Sequence, residues 1–185
     1  MNSRVKCFRT ACAMLCVATG ALFTPVDVSA QSPSVTLHFT GIYIADTCTV
    51  VSSPDMTVTL PTISTQSLNT AGLTAGAKVF TISMQCDSGV TGALVYFESG
   101  PTTDLTSGRL IPQATDGTTS ASNVEVMLEN ADGSPIKVGD RNTMKVIPVN
   151  PNGPTPANFI AKYYATGPTT PGMVSTFVTY VIQMP

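Results

Sequence analysis

The 185-residue protein has no tryptophan and one histidine, His38. Without tryptophan, any core must be assembled from Val, Ile, Leu, Met, Phe and Tyr. With one histidine, a Ser–His or Cys–His pair would have to use His38. That residue lies between Leu37 and Phe39, in the outward register of an alternating segment. Charge is scarce as well: 11% of residues are charged, and the basic ones form no run. Nucleic acid and anionic membrane surfaces are therefore poor candidate partners. No G-x-S-x-G elbow, phosphate-binding glycine loop or calcium loop is present. The acidic residues are scattered, and Asp87, Asp116, Asp132 and Asp140 sit beside turn residues, where a structural role suffices. These absences lead us to expect no enzyme, no cofactor, no metal and no small-molecule substrate.

The first thirty residues read as an export signal. Arg4, Lys6 and Arg9 precede an apolar run over residues 11–23, and Val28-Ser29-Ala30 offers a small-residue cleavage site. That run is short for a membrane span, and no other stretch approaches the roughly 20 residues a span requires. Of five cysteines, Cys7, Cys12 and Cys16 fall in the signal, leaving Cys48 and Cys86. Two cysteines in an exported protein predict one disulfide. Two cysteines and one histidine cannot complete the usual tetrahedral metal site. Removing Arg4, Lys6, Arg9 and Asp27 from nine basic and eleven acidic residues leaves six and ten, a formal charge of −4.

Beyond the signal, Val35, Leu37, Phe39, Gly41 and Tyr43 recur at strict two-residue spacing, which predicts a strand with one face to bury. Standing at the free end of the exported protein, such a strand either closes its own sheet or completes another. Short runs rich in Val, Ile, Thr, Tyr and Phe follow, separated by Gly, Pro, Asn and Asp clusters. Strands are expected near residues 42–51, 56–60, 79–85, 93–98, 124–129, 144–149, 159–165 and 173–183. Asp132-Gly133 marks a tight turn, and Asp116-Gly117 lies in a Ser/Thr-rich loop. Four prolines between residues 148 and 156 mark a connection. Residues 68–77 are apolar but carry Gly72 and Gly76, leaving room for at most a short helical turn. Tyr163 and Tyr164, adjacent in a strand, face opposite sides, so one belongs to the core and the other to the surface. No internal repeat is visible. The pattern predicts a single all-β domain, a two-sheet sandwich.

Residues 158–167, Asn-Phe-Ile-Ala-Lys-Tyr-Tyr-Ala-Thr-Gly, then Pro171-Gly172 and the strand that follows, resemble the end of pilin subunits of the chaperone–usher pathway, the type 1 and P pilus proteins. Cys48, Cys86, Leu60-Pro61, the run 79–86 and the run 121–128 leading to Gly133 match in the same order. Gly172 is fourteenth from the C-terminus, as in the family's signature. Met184 stands at the penultimate position, where that signature prefers an aromatic.

The resemblance implies an incomplete immunoglobulin-like β-sandwich lacking its last strand. It implies a signal peptide at 1–30, a donor-strand extension at 31–44 and a pilin domain at 45–185. Val35, Leu37, Phe39 and Gly41 would enter a neighbouring subunit's groove. Gly172, Val174, Val178, Tyr180, Ile182 and Met184 would line this subunit's own groove or contact the chaperone and usher. Sequence alone leaves open which parity of the last strand faces inward. Implied partners are identical or related pilin subunits, a periplasmic chaperone and an outer-membrane usher. The implied function is a structural subunit of a surface fimbria supporting adhesion, a shaft subunit ahead of a minor adaptor. The alternative is a soluble exported sandwich that binds carbohydrate or protein, which would be a stable monomer.

Overall fold

A computed structural model describes residues 47–53, 55–114 and 117–185. The expected signal, His38, the 31–44 extension with Val35, Leu37, Phe39 and Gly41, and Asp116 lie outside the described residues. Among the described residues eight strands follow in order: β1 (Cys48–Val50), β2 (Thr74–Cys86), β3 (Gly92–Glu98), β4 (Val124–Asn130), β5 (Pro135–Ile136), β6 (Ile147–Pro148), β7 (Thr155–Ala165) and β8 (Thr179–Gln183). They form two antiparallel sheets, in the orders β1-β2-β7-β4-β5 and β6-β3-β8. This is the all-β sandwich read from the alternation.

The period of two does the sorting. Along β7, Thr155, Ala157, Phe159 and Ala161 are buried while Pro156 and Asn158 are exposed. Ile82, Met84 and Cys86 of β2 and Val126 and Leu128 of β4 join that inner face. Val95 and Phe97 of β3 face them from the other sheet. In place of tryptophan, a run of rings crosses the core. Phe80 meets Phe159 at 5.6 Å, Phe159 meets Phe97 edge-on at 5.1 Å, and Phe97 meets Tyr180 at 6.2 Å. Such contacts add about 0.5–1.5 kcal/mol per pair beyond burial.

On the outer face of the larger sheet, charges are paired across strands. The Arg109 guanidinium donates to Glu125 at 2.5 Å and lies 3.9 Å above the Tyr164 ring. Lys162 meets Glu129 at 2.6 Å, with both side chains mostly buried. Tyr163 turns the other way and packs against Leu68, Val124 and Ala165 in a second small cluster. Burial there pushes its phenol above the ordinary range. The two tyrosines thus face opposite sides, Tyr163 into the small cluster and Tyr164 under Arg109, and both are half-buried.

Several boundaries differ from expectation, each for a physical reason. Residues 56–60 form no strand, although Met56, Val58 and Leu60 point inward and Thr57 and Thr59 outward. The alternation is present; a ladder partner is not found among the described residues. The stretch 68–77, given room for at most a short helical turn, holds only the last residue of a 3-10 turn at Thr65–Leu68, capped by the Ser64 hydroxyl, which accepts the Gln66 N–H, and then the start of β2. Gly76, read only as limiting any helix in this stretch, sits at φ +68 where the β2–β7 register shifts, a bulge that lets β2 begin at Thr74. The expected strand at 144–149 shrinks to Ile147–Pro148. Two prolines placed in the following connection, Pro148 and Pro156, belong to strand ends. The strand expected from 173 starts at Thr179, because residues 173–177 bond to loops.

Candidate strand-acceptor groove

Among the described residues, the last strand has a partner on one side only. β8 pairs with β3 along Leu94–Gln183, Val95–Ile182, Tyr96–Val181, Phe97–Tyr180 and Glu98–Thr179. Backbone direction follows from what Phe97 does with its other edge. Its N–H donates to the Met144 sulfur at 3.4 Å, and its C=O accepts the Gly139 N–H at 2.9 Å. Phe97 therefore points its backbone away from β8, and Leu94, Tyr96 and Glu98 exchange bonds with Gln183, Val181 and Thr179. By antiparallel alternation, the N–H and C=O of Tyr180 and Ile182 face the opposite, open edge. No described residue pairs with them.

Side chains on the same positions point into the sandwich. Val178, Tyr180, Ile182 and Met184 are half-buried against the main cluster, and Val174 joins both clusters. Phe177 and Val181, of opposite parity, are exposed. Packing thus settles the parity that residue order left open: the even positions are the inner ones.

A second incomplete edge belongs to the start of the domain. Asp87 N–H donates to Thr47 C=O and Val51 N–H to Ser83 C=O, both at 2.9 Å. These bonds turn the odd positions toward β2, so Cys48 and Val50 direct their backbones outward. Residues 56–63 make no backbone–backbone hydrogen bond among the described residues. Met56, Val58 and Leu60 nevertheless reach the main cluster, and Ile63 the smaller one. β1 and β8 approach each other across the gap between the sheets. Among the described residues, both stretches thus combine inward apolar side chains with backbone groups left unpaired, an arrangement open to a further strand.

The wall expected at the last strand is thus accompanied by one that sequence reasoning missed. The signal for it was Met56-Thr57-Val58-Thr59-Leu60, followed by Pro61, which reads only as an ordinary strand. The Cys48–Cys86 disulfide, predicted from the cysteine count, joins register partners of β1 and β2 and anchors this second wall. Arg141 holds the far end of β8: its guanidinium donates to Met184 C=O at 2.8 Å and to Gln183 Oε1 at 3.3 Å.

Gly172 enters through close approach. A Cβ there would collide with Ala121 N and sit 2.7 Å from Ser120 C. Met173 is stitched alongside this stretch: its N–H donates to Thr119 C=O at 2.9 Å, and its C=O accepts the Ala121 N–H at 3.0 Å. Gln113 N–H to Ser175 C=O, Thr176 Oγ1 to Ile111 C=O and Thr102 Oγ1 to Phe177 C=O continue the seam up to β8. Alanine at 172 must push two backbones apart. We expect Gly172→Ala to cost at least about 1–3 kcal/mol, read as a lowered Tm, while Gly167→Ala, with no neighbour nearer than 3.5 Å, stays close to wild type.

A family model described as fimbrial protein matches residues 37–184. The chain is 35% identical over 171 residues to a major fimbrial subunit, SMF-1, of Stenotrophomonas maltophilia, covering 87% of this chain and 98% of the relative. It is 38% identical over 171 residues to the F17 fimbrial protein of Escherichia coli, covering 84% and 93%. Among solved structures, the P pilus rod subunit PapA superposes with a TM-score of 0.57 at 14% identity, over 75% of this chain and 99% of PapA. A subunit from a chaperone–usher pilus gives 0.56 at 16% identity, over 88% and 100%. The fold is therefore the incomplete immunoglobulin-like sandwich of pilus subunits. With an open-edged β8 and these relatives along nearly its whole length, the chain belongs to the fimbrial protein family and is a structural subunit of a surface fimbria.

Proposed function

We propose that the subunit polymerises head to tail by donor-strand exchange. In this reading residues 1–30 direct export, residues 31–44 form the donor strand, and residues 45–185 form the pilin domain. Val35, Leu37 and Phe39 fill successive apolar sub-sites between β8 and the 48–63 wall of the next subunit, with Gly41 where the backbones come closest. Val174, Val178, Tyr180, Ile182 and Met184 line the acceptor side. Gly172 lets the chain leading to β8 pass close against residues 120–121. The observation that carries this reading is the outward-facing backbone of Tyr180 and Ile182 above an apolar floor. A contact between one subunit's extension and another's groove is heterologous and does not close, so it builds a filament.

An open rim of this kind aggregates unless covered. A periplasmic chaperone covers it first, and an outer-membrane usher hands the groove to the incoming extension. This is β-strand addition, for which chaperone–pilin pairs are themselves the standing example. The role is a shaft subunit supporting adhesion, in keeping with a single pilin domain and with a major fimbrial subunit among its relatives. It involves no catalysis, cofactor, nucleic acid or small-molecule substrate.

The test is a melt of the core starting at Asp46, alone and with a peptide of residues 32–44. At a hundredfold excess over Kd, binding adds about 2.7 kcal/mol, about 8 °C for a domain of this size. A closed carbohydrate- or protein-binding sandwich would be stable alone and indifferent to the peptide.

A further inference from the structure

We propose that Asn152 is a site of spontaneous deamidation, which places a new carboxylate at the end of the sandwich where β1 begins at Cys48. Of the seven described asparagines, Asn152 is the one followed by glycine. The reaction needs three things: a free side-chain amide, a free backbone N–H on the next residue, and no side chain shielding that nitrogen. Asn152 is exposed, and its side chain makes no hydrogen bond among the described residues. Its own N–H donates to Asn150 Oδ1 at 3.1 Å, which shapes the turn without occupying either reacting group. The Gly153 N–H likewise has no acceptor among the described residues.

The fold does not demand glycine here. Gly153 lies outside the left-handed region, and a Cβ would meet only Asn150 Nδ2 at an ordinary 3.6 Å. The contrast with the β4–β5 turn is instructive. There Asp132-Gly133 has a comparable sequence, but the Gly133 N–H is given to Asn130 C=O at 2.9 Å. The Asp132 carboxylate is held by Ser134 and Lys145. Asn150 precedes Pro151 and meets no N–H nucleophile, and the Asn158 side chain accepts from the Thr81 hydroxyl at 2.7 Å.

In the step itself, a base removes the Gly153 amide proton and the nitrogen attacks Asn152 Cγ. The new bond from nitrogen to Cγ closes a five-membered imide, and the Cγ–Nδ2 bond of Asn152 breaks, releasing ammonia. Water then opens either imide carbonyl, giving aspartate or isoaspartate. The balance is one water in and one ammonia out. Thr155, two residues past Gly153, pairs with Met84 beside Cys86, so the charge appears at the disulfide end of the domain.

The test uses the full-length protein purified as fibres and incubated at neutral and mildly alkaline pH, followed by tryptic mapping. Residues 146–162 leave as one peptide between Lys145 and Lys162. We expect that peptide to gain the mass of exchanging NH2 for OH, faster at higher pH, with isoaspartate detected by a protein isoaspartate methyltransferase. Asn152→Gln should lose the shift, and Gly153→Ala, which fits without strain, should slow it several-fold. The proposal is overturned if the folded protein stays unmodified while a synthetic 146–162 peptide converts. It is equally overturned if the change maps to Asn158, or if Gly153→Ala converts as fast as wild type.

Discussion

Replacing Phe39 with aspartate is expected to abolish fibre formation while leaving the exported subunit itself intact. Burying a phenylalanine contributes about 1.5–3 kcal/mol. An aspartate in the same apolar slot loses that and must also be desolvated or protonated, which costs at least a further 2–3 kcal/mol or so. At about 1.4 kcal/mol per tenfold, the exchange equilibrium falls by roughly a thousandfold or more. Phe39→Leu keeps an apolar side chain and should assemble. The sequence alternation supplies the control: a strand over this segment would put His38 on the face opposite Phe39, so His38→Asp should leave assembly near wild type. Electron microscopy of surface fibres reads all three. Fibres in Phe39→Asp at wild-type abundance would remove the extension from the mechanism.

Loss of the disulfide should have the largest effect on the domain itself. Cys48 and Cys86 are 38 residues apart, and closing a loop of that length is worth about 4 kcal/mol in the chain-entropy estimate. The groove adds a local consequence. β1 is three residues long, and the wall beyond it has no ladder of its own among the described residues, so the disulfide is the covalent tie of that wall to β2. Cys48→Ser with Cys86→Ser should therefore lower Tm by about 10 °C or more and weaken peptide capture more than a core substitution of equal cost. Equal peptide affinity in the double variant would show that the wall is held by packing alone.

The β class, the disulfide, the existence of a last strand and the Asp132-Gly133 turn are all readable from residue order, because each rests on local periodicity or on a count. What residue order hides depends on long-range contacts. Gly76 looks like a breaker until Tyr163 of β7 lies across from it, 2.8 Å from where a Cβ would stand. Residues 173–177 carry strand-like residues, yet their hydrogen bonds, backbone and side chain, go to loops around Thr102, Ile111, Gln113 and Thr119. The inward parity of β8 is hidden too, since Val174, Val178, Tyr180, Val181 and Ile182 offer apolar groups on both faces. The second wall is invisible for the same reason as Gly76. Met56, Val58 and Leu60 alternate like any strand, and only the arrangement around them reveals an edge left without a partner. Arg141, which ties down Met184 from a distant connection, carries no sequence signal at all.

The most direct measurement is residue-resolved amide exchange in the core starting at Asp46, with and without the 32–44 peptide. Donor-strand capture predicts slowed exchange at Tyr180 and Ile182 on peptide addition, with little change at Thr179 and Val181, whose backbones already face β3. Slowing at Thr179 and Val181 instead, or protection of Tyr180 and Ile182 before any peptide is added, would contradict an open groove.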